Sequence, residues 1–164
     1  MKPTIPVIRE ATVKDVTAMF EIRVSVNENS ATRAGLYASG IDEEAVAAAI
    51  TTEGHGWISE DDGNAVGFSI ADQRDGSIFA LFVRPEFEGR GHGGRLLDAA
   101  VHWLSLRGFE RLWLAVGQST RAHRFYLGRG WIETGNTQPN GDIELELNCS
   151  PQYANSGLGT PAER

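Results

Sequence analysis

Residues 88–94 read Glu-Gly-Arg-Gly-His-Gly-Gly, with four glycines inside six positions. Glycine lets successive backbone N–H groups turn toward one point without a Cβ in the way, so such a run can close around an anion. Leu96, Leu97, Ala100, Val101 and Leu104 follow at helical spacing. A helix starting there adds its positive N-terminal end to the same point. The combination suits a diphosphate; the competing reading is a plain turn whose glycines only permit a tight connection. Gly89 to Gly94 has the outer spacing of a nucleotide-triphosphatase loop, but Arg95-Leu96 stands where that loop needs Lys and then a hydroxyl residue. Gly89-x-Gly91-x-x-Gly94 also matches a dinucleotide fingerprint, which follows its strand closely and has an acid at the end of the next strand to hold a ribose. Here five residues separate Val83 from Gly89, and the next predicted strand ends in Ala115-Val116-Gly117. Neither nucleotide loop fits.

The elements that must position this loop are legible on both sides of it. Residues 7–9 predict a first strand. Thr12, three before Asp15, predicts a helix start, with Val13, Val16, Phe20 and Val24 at helical spacing. Residues 27–40 are polar and small, and predict a loop or broken helix. Asp42 predicts the cap of a second helix that runs to about Ile50 and stops near Gly54, with Ile41 and Val46 placed for a hydrophobic staple. Trp57 to Glu60 and Ala65 to Ala71 predict strands around the turn Asp61-Asp-Gly-Asn64, and Arg74-Asp-Gly76 predicts a further turn. Ser77 to Val83 is almost wholly apolar, as in a strand buried on both faces, and Pro85 ends it. Beyond the loop helix, Gly108 predicts its C-terminal cap. A strand is predicted over 111–116, a short helix from about Ser119 to Leu127, and strands over 131–134 and 143–147 with Asn140-Gly141 turning between them. The strand–helix–strand run over 77–116 implies one parallel pair in an otherwise antiparallel sheet. The fold class is therefore α/β, a mixed sheet with helices on both faces. Residues 1–149 are read as a single domain and 150–164 as a disordered tail.

Composition narrows the partners. The net charge is −7, which gives no support for nucleic-acid binding. No apolar run reaches the length of a membrane span, and the N-terminus lacks the apolar core of a signal peptide, so a cytoplasmic protein is expected. Cys149 is the one cysteine, which rules out an internal disulfide. His55, His92, His102 and His123 have no metal-ligand spacing, and no metal is expected. His92 reads as incidental to the loop.

Two segments together resemble the GCN5-related N-acetyltransferase (GNAT) family. Phe82-Val83-Arg84-Pro85 followed by Gly91-His92-Gly93 fits its signature of a strand ending in hydrophobic-Val-x-Pro and then Arg/Gln-x-x-Gly-x-Gly/Ala. Ala122-His-Arg-Phe-Tyr-Leu-Gly-Arg-Gly-Trp131 fits its Ala-x-x-Phe-Tyr-x-x-x-Gly-Phe helix, with Trp131 in place of the last Phe. The order and separation agree, and the resemblance covers roughly residues 7 to 148. Two positions depart from the pattern. Glu88 stands where Arg or Gln is usual, which removes one side-chain contribution to phosphate binding, and Ser119 stands where Asn is frequent.

The resemblance implies the fold, with two central parallel strands splayed apart, and acetyl-CoA as co-substrate. It implies that Glu88, Gly89, Arg90, Gly91, His92, Gly93 and Gly94 hold the diphosphate. It also implies that the pantetheine arm lies against the backbone of Phe82 and Val83, and that Ser119 and Tyr126 border the cofactor. Tyr126 is implied as general acid for the departing thiolate; the competing reading is a packed aromatic. The general base stays open, since residues 77–81 (Ser-Ile-Phe-Ala-Leu) carry no carboxylate. Glu21, Glu28 and Glu60 are substitutes through water, each reading more readily as a solvated surface group. Asn27, Glu28, Asn29 and also Tyr37 fall where the family lines its acceptor site. The expected activity is acetyl transfer to a primary amine of a small molecule or peptide, with a homodimer among the assemblies to test. The alternatives are a non-catalytic acyl-CoA sensor, and a nucleotide-cofactor oxidoreductase disfavoured by the missing ribose acid.

Overall fold

The computed structural model describes residues 5–149, and the expected disordered tail from residue 150 lies outside them. The chain divides into two compact units, the boundary falling between Val101 and His102.

In the first unit, strand β1 (Val7–Glu10) leads into a single 3-10 turn (Val13–Asp15) and helix α1 (Val16–Ser25). Thr12 caps the turn as its spacing predicts, and with Asp15 it forms a reciprocal capping box: the Thr12 hydroxyl accepts from Lys14 N–H, and the Asp15 carboxylate accepts from Thr12 N–H at 2.8 Å. Arg9 fastens this corner, donating to Asp15 and to Glu60 at 2.8 Å each, and it holds the Asp15 carboxyl below the usual carboxylate range. The 3-10 turn resets the phase of the helix. Val13 therefore stands exposed, while Val16, Met19, Phe20 and Ile22 carry the buried face, and Val24, eight residues past Val16 and about 80° round the helix from it, falls at its exposed edge.

The polar stretch after α1 contains a short helix α2 (Arg33–Ala38), capped by the Thr32 hydroxyl on Gly35 N–H. Helix α3 (Glu43–Thr51) follows, capped by Asp42 as expected. Strands β2 (Gly54–Asp61), β3 (Asn64–Asp72) and β4 (Ser77–Val83) then run as an antiparallel meander, with β1 beside β2.

The two faces of this meander differ sharply. Ile58, Phe68 and Ile70 join Val16, Met19, Phe20, Ile22, Val46 and Ile50 in the apolar core. Their neighbours in the strands, Ser59, Gly67 and Ser69, are small and face the other way. Against that second face lies helix α4 (His92–Leu106), which begins in this unit. Ser69 Oγ donates to the Leu96 carbonyl at 3.1 Å, and a Cβ on Gly67 would stand 3.0 Å from Leu96 Cδ1. Small residues thus bring the helix close to the strands.

β4 is less buried than its composition suggests. Its first two residues are buried, its last four half-buried, and Phe79 is 49% exposed. The reason is a bulge: Ile70 pairs with Ala80 and Ala71 with Ile78, so Phe79 has no partner in β3 and its side chain is thrown outward.

In the second unit, strands β5 (Arg111–Val116), β7 (Ile143–Asn148) and β6 (Ile132–Thr137) pair antiparallel in that order, and helix α5 (Arg121–Gly128) precedes β6. Arg111 bridges Glu144 at 3.0 Å and also Glu146 across the β5–β7 ladder. Leu112, Leu114, Trp131 and Leu145 are buried. Among the described residues, no helix is long and apolar enough to cross a membrane.

Gly54 shows how tightly the first unit closes. A Cβ there would stand 1.8 Å from the Ala71 carbonyl oxygen, a backbone atom that the ladder holds in place. At Gly56 the nearest obstacle is Ile50 Cγ2 at 2.7 Å, a side-chain methyl that can turn aside. Gly54→Ala is expected to cost about 3 kcal/mol and Gly56→Ala about 1 kcal/mol. Urea unfolding of the full chain measures both; equal losses would show that the Ala71 carbonyl is not the obstacle.

Candidate functional site

The glycine run sits where the first unit turns from β4 into α4. Pro85 opens a 3-10 turn (Pro85–Phe87), closed by Phe87 N–H donating to the Arg84 carbonyl at 2.9 Å. Glu88 is extended and exposed. Gly89 and Gly91 take φ of +79° and +94°, where only glycine is at ease. The nearest atom to a Cβ on Gly91 would be Pro6 Cγ at 3.9 Å, so conformation and not crowding demands glycine there. Arg95 N–H donates to the Gly91 carbonyl at 3.2 Å as the helix gets under way. The amides of His92, Gly93 and Gly94 precede it in the first turn and have no acceptor within the helix. The helix starts inside the glycine run, four residues before the first apolar marker Leu96.

The side chains of the loop take different directions. Arg90 is 57% exposed, stacks over the Phe87 ring at 5.1 Å and reaches Asp61 at 3.8 Å. His92 is 2% exposed: its ring turns inward to Ser59, so of this residue only the backbone N–H faces the cradle. This corrects the reading of His92 as incidental. The residue is set into the protein interior, and its burial lowers the imidazole pKa. Phe82 and Val83 lie at the end of β4, half-buried, with the Phe82 ring against Phe68 at 5.7 Å and under the Arg23 guanidinium at 4.4 Å.

The acceptor candidates in the first unit are exposed: Asn27, Glu28 and Asn29 form the turn after α1. Asn29 has φ +57°, and its carbonyl accepts from Arg23 at 2.9 Å. Arg23 is pushed below the usual guanidinium pKa by burial, a feature its polar sequence context did not signal. The Tyr37 hydroxyl donates to Glu43 at 2.5 Å, which commits its polar tip to α3. Of the carboxylates considered as bases, Glu21 faces Arg84 at 3.7 Å and Glu60 is bonded to Arg9.

In the second unit, the cap of α5 is Thr120, whose hydroxyl accepts from His123 N–H at 3.1 Å. Ser119 does not cap the helix: it takes φ +67°, and its N–H donates to His123 Nδ1 at 3.0 Å. His123 Nε2 then carries the proton and donates to Glu133 at 3.0 Å. Tyr126 is buried between Phe125 and Trp131, with ring centroids 5.4 and 5.8 Å away. Burial raises its phenol well above the ordinary tyrosine value, so it stays protonated at neutral pH. Residue types single out the glycines and the family resemblance singles out Tyr126; neither points to Ser59 and Asp61, which reach the loop from β2.

Comparison with known proteins gives this geometry a family. The acetyltransferase (GNAT) family model matches residues 16–131. An uncharacterised N-acetyltransferase of Archaeoglobus fulgidus is 38% identical over 79 residues, 42% of this chain and 54% of that protein. The chain spans about half, or less, of the length of the curated relatives it matches. A GCN5-related N-acetyltransferase from Rhodopseudomonas palustris superposes with a TM-score of 0.72 at 24% identity, covering 90% of this chain and 98% of the other. The PaiA N-acetyltransferase of Thermoplasma acidophilum, solved in complex with coenzyme A, gives 0.75 at 15% identity, covering 88% and 99%. These likenesses show the fold: mixed α/β, a mostly antiparallel sheet with one parallel pair and flanking helices. With the family model matched over more than two thirds of its residues, the chain belongs to the acetyltransferase (GNAT) family.

Proposed function

We propose that this protein transfers an acetyl group from acetyl-CoA to a primary amine of a small molecule or peptide, by direct attack with both substrates bound. The observation that carries this reading is the cradle at the start of α4, where Gly89 and Gly91 in left-handed conformation lead into the first-turn amides of His92, Gly93 and Gly94. Such amides, with the helix end behind them, suit the CoA diphosphate. Arg90 and Arg95 add positive charge at the exposed rim, which offsets Glu88. The family match runs across the boundary between the two units, which supports reading residues 1–149 as one domain.

Bound acetyl-CoA supplies an activated thioester. The neutral amine attacks its carbonyl carbon, so a C–N bond forms and the C–S bond breaks. Tyr126 gives its hydroxyl proton to the departing sulfur and regains one from water, since its raised pKa makes the phenolate a strong base. The proton shed by the nitrogen passes to water, with Glu21 and Glu60 engaged by Arg84 and Arg9. Glu88 in the loop and the lack of a carboxylate in residues 77–81 favour a second reading, a non-catalytic acyl-CoA sensor.

Calorimetric titration with CoA, acetyl-CoA and NAD separates these readings from a nucleotide-cofactor enzyme: CoA and acetyl-CoA are expected to bind and NAD is not. Gly91→Ala places an L residue at φ +94°, at a cost of roughly 1–2 kcal/mol. CoA affinity is then expected to fall about tenfold, and undiminished affinity would remove the cradle from the site.

Tyr126→Phe is expected to lower kcat roughly a hundredfold with CoA affinity unchanged, measured by thiol release across a panel of amines. Equal turnover would take Tyr126 out of the mechanism. CoA binding without turnover on any amine would favour the sensor.

A further inference from the structure

His92 is the first residue of α4, yet its side chain is directed at the strands and is 2% exposed. Its Nδ1 lies 2.5 Å from the hydroxyl of Ser59, which is itself 0% exposed. Its Nε2 faces Asp61 Oδ2 at 3.8 Å. Asp61 also faces Arg90 at 3.8 Å, and the Phe87 ring meets His92 edge-on at 6.1 Å with Arg90 over its face. Loop residues 87, 90 and 92 are thus gathered onto two residues at the end of β2.

The chemistry of the cluster fixes its polarity. The ring of His92 is neutral at neutral pH, because burial disfavours its charged form. With Nε2–H turned toward the Asp61 carboxylate, Nδ1 keeps its lone pair and accepts the Ser59 proton. The order Ser–His–Asp is that of a hydrolase triad, but it does no such chemistry here. Ser59 has no exposed surface for a substrate to reach, and 3.8 Å is too long for a direct His–Asp hydrogen bond. What the cluster does is satisfy a buried hydroxyl while pinning the first turn of a helix. Ser59 belongs to the small-residue face of the meander, so the histidine ring fills the space that a larger strand residue would have taken.

We propose that Ser59, His92 and Asp61 form an anchor that sets the depth and rotation of the first turn of α4, which makes His92 a positioning residue for the amides that hold the CoA diphosphate. The proposal rests on the acetyl-CoA reading above. A shift of the first turn misdirects the amides of His92, Gly93 and Gly94 together, because they ride on one rigid turn. Asp61 extends the effect to Arg90 at the rim.

The test measures CoA affinity, steady-state kinetics and thermal stability on the full chain for His92→Leu, His92→Asn, Ser59→Ala and the double variant Ser59→Ala/His92→Leu. In His92→Leu, Kd for CoA and KM for acetyl-CoA are expected to rise about tenfold while kcat changes by less than about twofold. In His92→Asn the side-chain carbonyl stands close to the former Nδ1 and accepts the same Ser59 proton, so most of the affinity should return. The double variant should bind no more weakly than the worse single variant, because both changes break one contact.

A lowered melting temperature with unchanged Kd and KM in His92→Leu would make His92 an ordinary core residue and overturn the proposal. If His92→Leu fails to fold, Ser59→Ala decides: unchanged CoA affinity there overturns it, and weakened affinity with kcat retained supports it. If the unaltered protein itself binds no CoA, the acetyl-CoA reading falls and the anchor's role in cofactor binding falls with it. If it binds and the variants match it, only the anchor falls.

Discussion

The closeness of α4 to the first-unit meander is the constraint on which the glycine loop depends. A helix normally stands off a sheet by the thickness of two layers of side chains. Here, beside the buried Trp57, that layer thins to Ser59, Gly67 and Ser69 under the first turns of α4, and the strands contribute hydroxyls where a core would ordinarily contribute methyl groups. Those hydroxyls must be bonded once they are buried. One finds the Leu96 carbonyl, the other finds His92, and both partners lie in the first turns of α4. The need to satisfy two buried serines is therefore also what orients the helix start. The opposite face of the same strands, filled by Ile58, Phe68 and Ile70, builds an ordinary core with α1 and α3.

Much of the scaffold was legible in the sequence. The bounds of β4 and β5 agree with the apolar runs at 77–83 and 111–116, and the caps Thr12 and Asp42 stand where their spacing put them. What was misread follows from interactions that short windows do not contain. Val13 falls off the buried helical face because it lies in the 3-10 turn ahead of α1, and Val24 because eight residues overshoot two turns of the helix. Helix α2 was hidden in polar sequence because it has one buried residue, Leu36. The burial of β4 was overstated, since apolar composition cannot reveal a bulge that depends on register with another strand.

The candidate site divides in the same way. The glycines stand out because left-handed backbone can be read from residue type, and Tyr126 because the helix motif carries it. His92 was dismissed because its partner, Ser59, is 33 positions away and signals nothing alone. Ser119 and Thr120 both offer a hydroxyl at the start of α5; the Thr120 hydroxyl caps the helix, and Ser119 supplies a left-handed turn and a backbone donor to His123. Polar residues near a helix start compete for the cap, and the backbone angle decides between them.

The bulge in β4 has a consequence for how the chain tolerates changes in length. Up to Ile78 the strand is keyed to Ala71 and Asp72; from Ala80 onward it is keyed to Gly67–Ile70. Phe79 is the one residue between these two registrations, so the strand is in effect two short segments joined by a slack link. Insertions or deletions around the turn after Asp72 can be taken up at that link. The downstream segment, and the glycine loop that it delivers, keep their alignment because their register is set afresh beyond it.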